Sequence, residues 1–93
     1  MRRPTVADAL EAVTEVTGVD PLTMGRMPRT MRSRRLAICA LREITGCSWP
    51  EIANEMGYAG HSSPMRVAAH GCDQDDWNEL RAIVDRVSAK VGA

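Results

Sequence analysis

The chain has 93 residues, enough for one domain close to the lower size limit for a core without disulfides or metals. Apolar residues make up 44% of it, but it has no Phe, one Tyr and two Trp, so its core must be aliphatic. No apolar run is long enough to span a bilayer, and no apolar signal segment follows the basic N-terminus. We therefore expect a cytoplasmic protein that has no membrane partner.

The cysteines argue against a disulfide framework and against a zinc site. The chain has three cysteines, an odd number, and no two of them have the C-x-x-C spacing: they are Cys39, Cys47 and Cys72. His61, His70 and Cys72 could supply metal ligands, but structural zinc sites usually have four ligands in two close pairs. We favour idle or buried thiols and expect no metal and no other cofactor.

The formal net charge is zero, but the charges are unevenly distributed along the chain. Acidic residues cluster at positions 8–15 and 73–79, whereas the segment from Pro21 to Arg42 contains no acid. That segment carries six arginines: Arg26, Arg29, Arg32, Arg34, Arg35 and Arg42. The arginines could form only a solvated surface, but such a run of like charge is typical of a surface for a polyanion.

The first half of the chain predicts two helices. Thr5 and Asp8 form a capping box for a helix over Thr5–Thr17, which Gly18 ends. Asp20-Pro21 then predicts a short helical turn at about Pro21–Met24. A longer helix is predicted from about Thr30 to Thr45. Its buried face is predicted to hold Ala37, Ile38, Leu41 and Ile44, and its opposite face Arg32, Arg35 and Arg42.

The second half predicts three helices. Ser48-Trp49-Pro50-Glu51 is a capping box with proline in the first turn, so a helix over about Trp49–Met56 is expected. Ser63-Pro64 starts another helix, and a last one occupies about residues 74–91. The apolar stripe predicted for the last helix is Trp77, Leu80, Ile83, Val84, Val87 and Val91. No segment alternates with the period of a strand, so we predict an all-α bundle of five to six helices.

Residues at about 48–70 have the organisation of a helix-turn-helix, two short helices with a glycine-opened turn between them. Ile52 and Met56 can pack inward, and Gly57 can end the first helix. The second helix would then offer polar side chains suited to phosphates and base edges. These are His61, Ser62, Ser63 and Arg66. From this pattern alone, DNA binding and a generic helical interaction module remain equally open.

The segment from about Val19 to Ala69 resembles the C-terminal DNA-binding domain of the bacterial replication initiator DnaA. Residues 32–45, RSRRLAICALREIT, look like the basic loop and following helix of that family. Residues 48–53, SWPEIA, are similar to its Ser-Leu-Pro-Glu-Ile-Gly segment. Residues 57–63, GYAGHSS, stand where the family carries Gly-Gly-Arg-Asp-His-Thr-Thr.

The resemblance implies a TrpR-like helix-turn-helix and assigns roles to matching residues. Arg32 corresponds to the loop arginine that enters the minor groove, and His61, Ser62 and Ser63 to residues that read the major groove. Trp49 and Pro50 match positions near the DNA backbone. By their placement, the remaining arginines are expected to hold phosphates. These are Arg26, Arg29, Arg34, Arg35 and Arg42.

The chain departs from the family at Ala59, Gly60 and Pro64, so we expect a different recognition sequence and a helix that begins later than in the family. His61 could then lie in the turn or on the helix. No phosphate-binding G-x-x-x-x-G-K-[ST] loop is present, and a stand-alone copy of the domain suits a phage or mobile-element protein.

We therefore expect a sequence-selective binder of double-stranded DNA, acting in replication or transcription control. The alternative is a protein-interaction module with a DnaA-like fold that acts as a replication inhibitor or decoy. No constellation of catalytic groups is apparent, so neither an enzyme nor a small-molecule substrate is expected. A homodimer through the last helix is open. The acidic residues at 73–79 could cap that helix or dock the arginines of a second copy.

Overall fold

A computed structural model describes residues 3–60, 62–69 and 74–92, and all the regular structure in these ranges is helical. The five helices are α1 (Val6–Thr17), α2 (Pro28–Glu43), α3 (Trp49–Met56), α4 (Ser62–Ala69) and α5 (Gln74–Gly92). The prediction of an all-α bundle is confirmed. Helix α2 is the centre of the fold, because the other four helices all pack against it, while α1 also packs on α5 and α3 on α4.

Local sequence signals explain most of the helix boundaries. The Thr5 hydroxyl accepts a hydrogen bond from the Asp8 amide, and the Asp8 carboxylate accepts one from the Thr5 amide, which completes the predicted capping box. Gly18 ends α1 with a φ of 76°, a left-handed conformation that glycine adopts without strain. The same arrangement of cap and glycine bounds α3, with Ser48 at its start and Gly57 at its end.

Two boundaries differ from the prediction. Helix α2 begins at Pro28 instead of Thr30, because proline is well suited to the first position of a helix, where its missing N–H is not needed. No helix forms over Pro21–Met24, where the chain makes a hydrogen-bonded turn in which the Thr23 amide donates to the Asp20 carbonyl over 3.0 Å. The prolines at 21 and 28 therefore bracket a non-helical segment that leads into the central helix.

The core is aliphatic, as the composition predicts, and α2 supplies the largest share of it. The buried apolar residues are Ala9, Ala12, Val13, Leu36, Ala37, Ile38, Ala40, Leu41, Cys47, Ile52, Ala53, Met56, Leu80, Ile83 and Val87. The apolar stripe predicted for the last helix is only partly buried, since Trp77 is 55% exposed and Val84 is also exposed, so the expectation that Trp77 packs in the core is wrong. Both lie on α5, whose buried face is narrower than the stripe of apolar residues in its sequence.

Ion pairs join the outer surfaces of α1 and α5. The Lys90 ammonium lies 2.8 Å from Glu11 Oε1 and 2.8 Å from Glu15 Oε1. Its hydrogen bonds to Glu11 and Glu15 raise the pKa of Lys90, and the bond from Lys90 lowers the pKa of Glu15. Arg86 approaches Glu15 at 3.5 Å. These groups are solvated, so the pairs orient the two helices and add little to stability.

Candidate nucleic-acid interface

Helices α3 and α4 form a compact pair whose first member has a well-defined start. Ser48 Oγ accepts from the Glu51 amide, and Glu51 Oε1 accepts from the Ser48 amide at 3.1 Å. The Ser48 hydroxyl also donates to Glu51 Oε1 at 2.8 Å, and the bonds from the Ser48 amide and then from its hydroxyl lower the pKa of the Glu51 carboxyl. Trp49 is half-buried against the core and Pro50 is exposed, so both predicted backbone-contact residues lie at the accessible start of α3.

Helix α4 exposes the side chains that sequence reasoning assigned to DNA. Ser62, Ser63 and Arg66 are exposed, whereas Pro64 is buried and Val67 packs against the core. The helix begins at Ser62, so Pro64 falls in its first turn, where proline is tolerated. His61 lies outside the described residues, as do His70 and Cys72, so the interpretations of these residues stay predictions.

The arginines of the acid-free segment have three different environments, and only part of the set is exposed. Arg26 and Arg29 are exposed at the approach to α2 and in its first turn. Arg42 is exposed near the other end of α2, where its guanidinium stacks over the Trp49 ring at 4.9 Å and donates to the Cys47 carbonyl at 3.0 Å. Arg42 is thus oriented beside the start of α3 and can still face solvent.

Arg32 and Arg35 bind the acidic start of α5. Arg32 Nε donates to Asp76 Oδ1 and Arg35 Nη2 donates to Asp76 Oδ2, each at 2.8 Å. Glu79 Oε1 lies 3.3 Å from Arg32 Nη2. The Asp76 side chain is 3% exposed, against 35% and 27% for the side chains of Arg32 and Arg35. Two of the acidic residues interpreted as a dock for a second copy's arginines, Asp76 and Glu79, therefore bind arginines of the same chain.

Arg34 has a different environment from the other arginines of the segment. It is buried, and its two terminal nitrogens donate to the carbonyls of Pro21 at 2.9 Å and Met56 at 2.8 Å. The guanidinium also lies 5.0 Å from the centre of the Tyr58 ring. Arg34 thus ties the segment before α2 to the end of α3. These contacts favour a structural role, and the phosphate contact predicted for Arg34 stays a prediction.

A cleft of about 400 Å³ lies between the N-terminal half of α2, the turn after α3, and α4. Its described lining includes the apolar or aromatic residues Met31, Tyr58 and Val67, and the basic residues Arg26, Arg34 and Arg35. Tyr58 and Met31 were missed by sequence reasoning. The signal that could have revealed Met31 is the alternation of methionine and arginine over residues 24–32. Tyr58 offered only its position next to Gly57.

Comparison of the chain with protein-family models, with curated proteins and with solved structures gives no match. The resemblance to the DnaA domain therefore stays a prediction, and the function has to be argued from the site itself. None of the helices in the described ranges is both long enough and apolar enough to cross a membrane. No cluster of three or more acidic, histidine or cysteine residues fit for a metal occurs in the same ranges.

Proposed function

We propose that this protein binds double-stranded DNA through α4 and the arginines that precede and begin α2. The proposal rests above all on the cleft that Arg26 and the α4 residue Val67 line together. Because the two residues line one cleft, the basic segment before α2 lies next to α4, the helix that exposes Ser62, Ser63 and Arg66. Short polar side chains and arginine can bind both phosphates and base edges.

The expected docking follows from this arrangement. Helix α4 would enter the major groove with the polar residues of its first turn towards the bases, supported by α3 behind it. Arg26 and Arg29 would hold the phosphates on one side, and Arg42 with Pro50 the backbone near α3. The control of replication or transcription is the role we propose for such a domain.

Arg32 and Arg35 can contribute only if they leave or share the Asp76 carboxylate. A guanidinium has five donors, so a phosphate could share Arg35 with Asp76, and Arg32 with Asp76 and Glu79. Arg32, proposed as the minor-groove residue, is the more exposed of the two. We infer that Asp76 holds both arginines near the duplex and competes with it for them.

The test is duplex binding by fluorescence anisotropy across a range of salt concentrations. Arg26→Ala and Arg66→Ala should each weaken binding, and each lost phosphate contact should lower the magnitude of the log–log salt slope by about one unit. Arg86→Ala is the matched control, because Arg86 is exposed on α5, where it faces Glu15 of α1, and lies away from the cleft. Absence of duplex binding at low salt, or equal losses in all three variants, contradicts the proposal. Selection from a random duplex library would then identify the site.

We further propose that a second copy packs on α5. The exposed Trp77 and Val84 border a shallow cleft of about 390 Å³ that Glu43 and Arg81 also line. An apolar strip flanked by both signs of charge is self-complementary in a two-fold arrangement. The mass in solution should approach twice the chain mass at high concentration and fall to one chain for Trp77→Ser. A wild-type monomer at every concentration contradicts the dimer.

A further inference from the structure

The segment before and at the start of α2 exposes an unusual amount of apolar side chain. Met24 is 77% exposed, Met27 63% and Met31 55%, and Leu22 is also exposed. Single exposed apolar residues need no explanation, but several within ten residues of chain mark a surface that contacts something. Methionine is also the residue that binding surfaces use to adapt to different apolar partners, because its side chain is unbranched and polarisable.

One of these methionines connects the exposed segment to the cleft. Met31 lines it with Tyr58 and Val67, so the cleft offers apolar surface from the turn after α3 and from α4. The volume of about 400 Å³ is at the lower end of the range of ligand pockets and suits one or two large side chains. Arg26 and Arg35 bring positive charge to the same cleft, and no acidic residue is among the described residues that line it.

We propose that this cleft binds an acidic amphipathic segment of a partner protein. An apolar side chain of the segment would occupy the space between Met31, Tyr58 and Val67, and its carboxylates would pair with Arg26 and Arg35. Charge complementarity favours an acidic segment over a second copy of this chain, because a two-fold contact would place the arginines of one cleft against the arginines of the other. An acidic peptide also fits the cleft better than a duplex does, because the DNA backbone offers charge to the arginines but no apolar group that would bury Met31.

The acidic segment would also regulate DNA binding, if the protein binds DNA as proposed above. Arg26 belongs both to the cleft and to the proposed phosphate contacts, so an acidic segment and a duplex would exclude each other. Binding of the partner would then release the protein from DNA without any change of fold.

The experiment is a selection of short random peptides displayed on phage against the full chain. The enriched peptides are then synthesised with a fluorescent label and measured by anisotropy. We expect them to combine Asp or Glu with large apolar residues. Met31→Lys separates the apolar contribution from the charge contribution to binding. It removes apolar surface from the cleft while adding a positive charge, which by itself would favour an acidic peptide. It should weaken binding by about tenfold, as loss of a central apolar contact does. Arg26→Glu should weaken binding by a similar factor.

Ala89→Lys is the matched control, because it also replaces an exposed apolar residue with lysine, at a position of α5 that lines neither cleft, and it should leave peptide affinity unchanged. Thermal melts by circular dichroism confirm that each variant is folded. The proposal is overturned if no peptide is enriched, if Met31→Lys strengthens binding, or if Ala89→Lys weakens it equally. Duplex binding is measured on the same protein samples. Peptide binding without duplex binding rejects only the proposed DNA-binding function. Duplex binding without peptide binding rejects only the proposal that the cleft holds an acidic segment.

Discussion

Asp76→Asn is the most informative single change, because the Asp76 carboxylate pairs with two arginines of the central helix at once. It accepts from Arg32 and Arg35 at 2.8 Å each, and its side chain is 3% exposed. Asparagine has nearly the same shape, so the substitution removes a charge and one acceptor without making a cavity. Arg35 would then face a neutral amide at the junction of α2 and α5, while Arg32 would keep Glu79, at 3.3 Å, as a charged partner.

The expected loss of stability can be estimated from the burial of the partners. Removing one member of a fully buried ion pair costs about 3–5 kcal/mol, since the remaining charge is left without compensation. The side chains of Arg32 and Arg35 are 35% and 27% exposed, so water can solvate part of both charges. We therefore expect Asp76→Asn to lower the free energy of unfolding by about 2 kcal/mol, which lowers Tm by about 10 °C in a domain of this size.

The same variant should bind a duplex more tightly, although it is less stable. The released Arg32 and Arg35 become available to phosphates, so the magnitude of the log–log salt slope should rise by between about one and two units. Asp85→Asn is the matched control, because it makes the same change of charge at an exposed position of α5.

Urea unfolding followed by circular dichroism measures the first effect, and anisotropy on a fixed duplex measures the second. The reasoning on stability is refuted if Asp76→Asn unfolds within about 0.5 kcal/mol of Asp85→Asn, the range typical of surface changes. The reasoning on DNA is refuted if the two variants have the same salt slope.

Three further changes test other parts of the structure. Arg34→Lys should lower the free energy of unfolding by about 2 kcal/mol, because one ammonium cannot reach both carbonyls, while the salt slope for DNA should stay unchanged. Trp77→Ser should change the free energy of unfolding by less than about 1 kcal/mol, and a larger loss would mean that Trp77 packs in the core. Ser48→Ala should cost about 1 kcal/mol at neutral pH by removing the cap of α3. Because the folded-state pKa of Glu51 lies below its ordinary value of 4.5, its stabilising bond to Ser48 is present above that value and lost as the pH falls through the folded-state pKa. The Ser48→Ala penalty should therefore shrink in acid in equilibrium unfolding, and a constant penalty would argue against the reciprocal cap.

The helices were predictable where the sequence carries local signals of known geometry. Thr5 with Asp8, and Ser48 with Glu51, are capping boxes that any helix in their place would use, and both form. Gly57 likewise ends α3 where a left-handed residue is needed. The error on Trp77 has a different origin. Periodicity gives the face of a helix, but the width of its buried stripe depends on how many neighbours cover it, and within the described part of the chain α5 packs only on α1 and α2.

The environment of the arginines was not predictable, because it depends on partners far apart in the chain. Arg32 and Arg35 meet an acid more than forty residues later, and Arg34 reaches carbonyls on both sides of it in sequence. Helical periodicity puts Arg34 on the apolar face, since it precedes Ala37, Ile38 and Leu41 by three, four and seven residues, so its burial could have been read from the sequence although its partners could not. Charge patterning alone treats every arginine of the segment as equivalent, whereas packing divides them.

This division explains how an acid-free run of arginine can be part of a stable fold and still be available to a polyanion. Arg34 is held by backbone carbonyls and an aromatic ring, which satisfy its donors without cancelling its charge. Arg32 and Arg35 are partly neutralised by one buried carboxylate, which limits their mutual repulsion. The exposed Arg26 and Arg29 are then left to give the surface its positive field, and long-range attraction to a polyanion depends on such local fields more than on net charge. We therefore expect the affinity for a duplex to depend on the competition between Asp76 and phosphate for Arg32 and Arg35 more than on the total number of arginines.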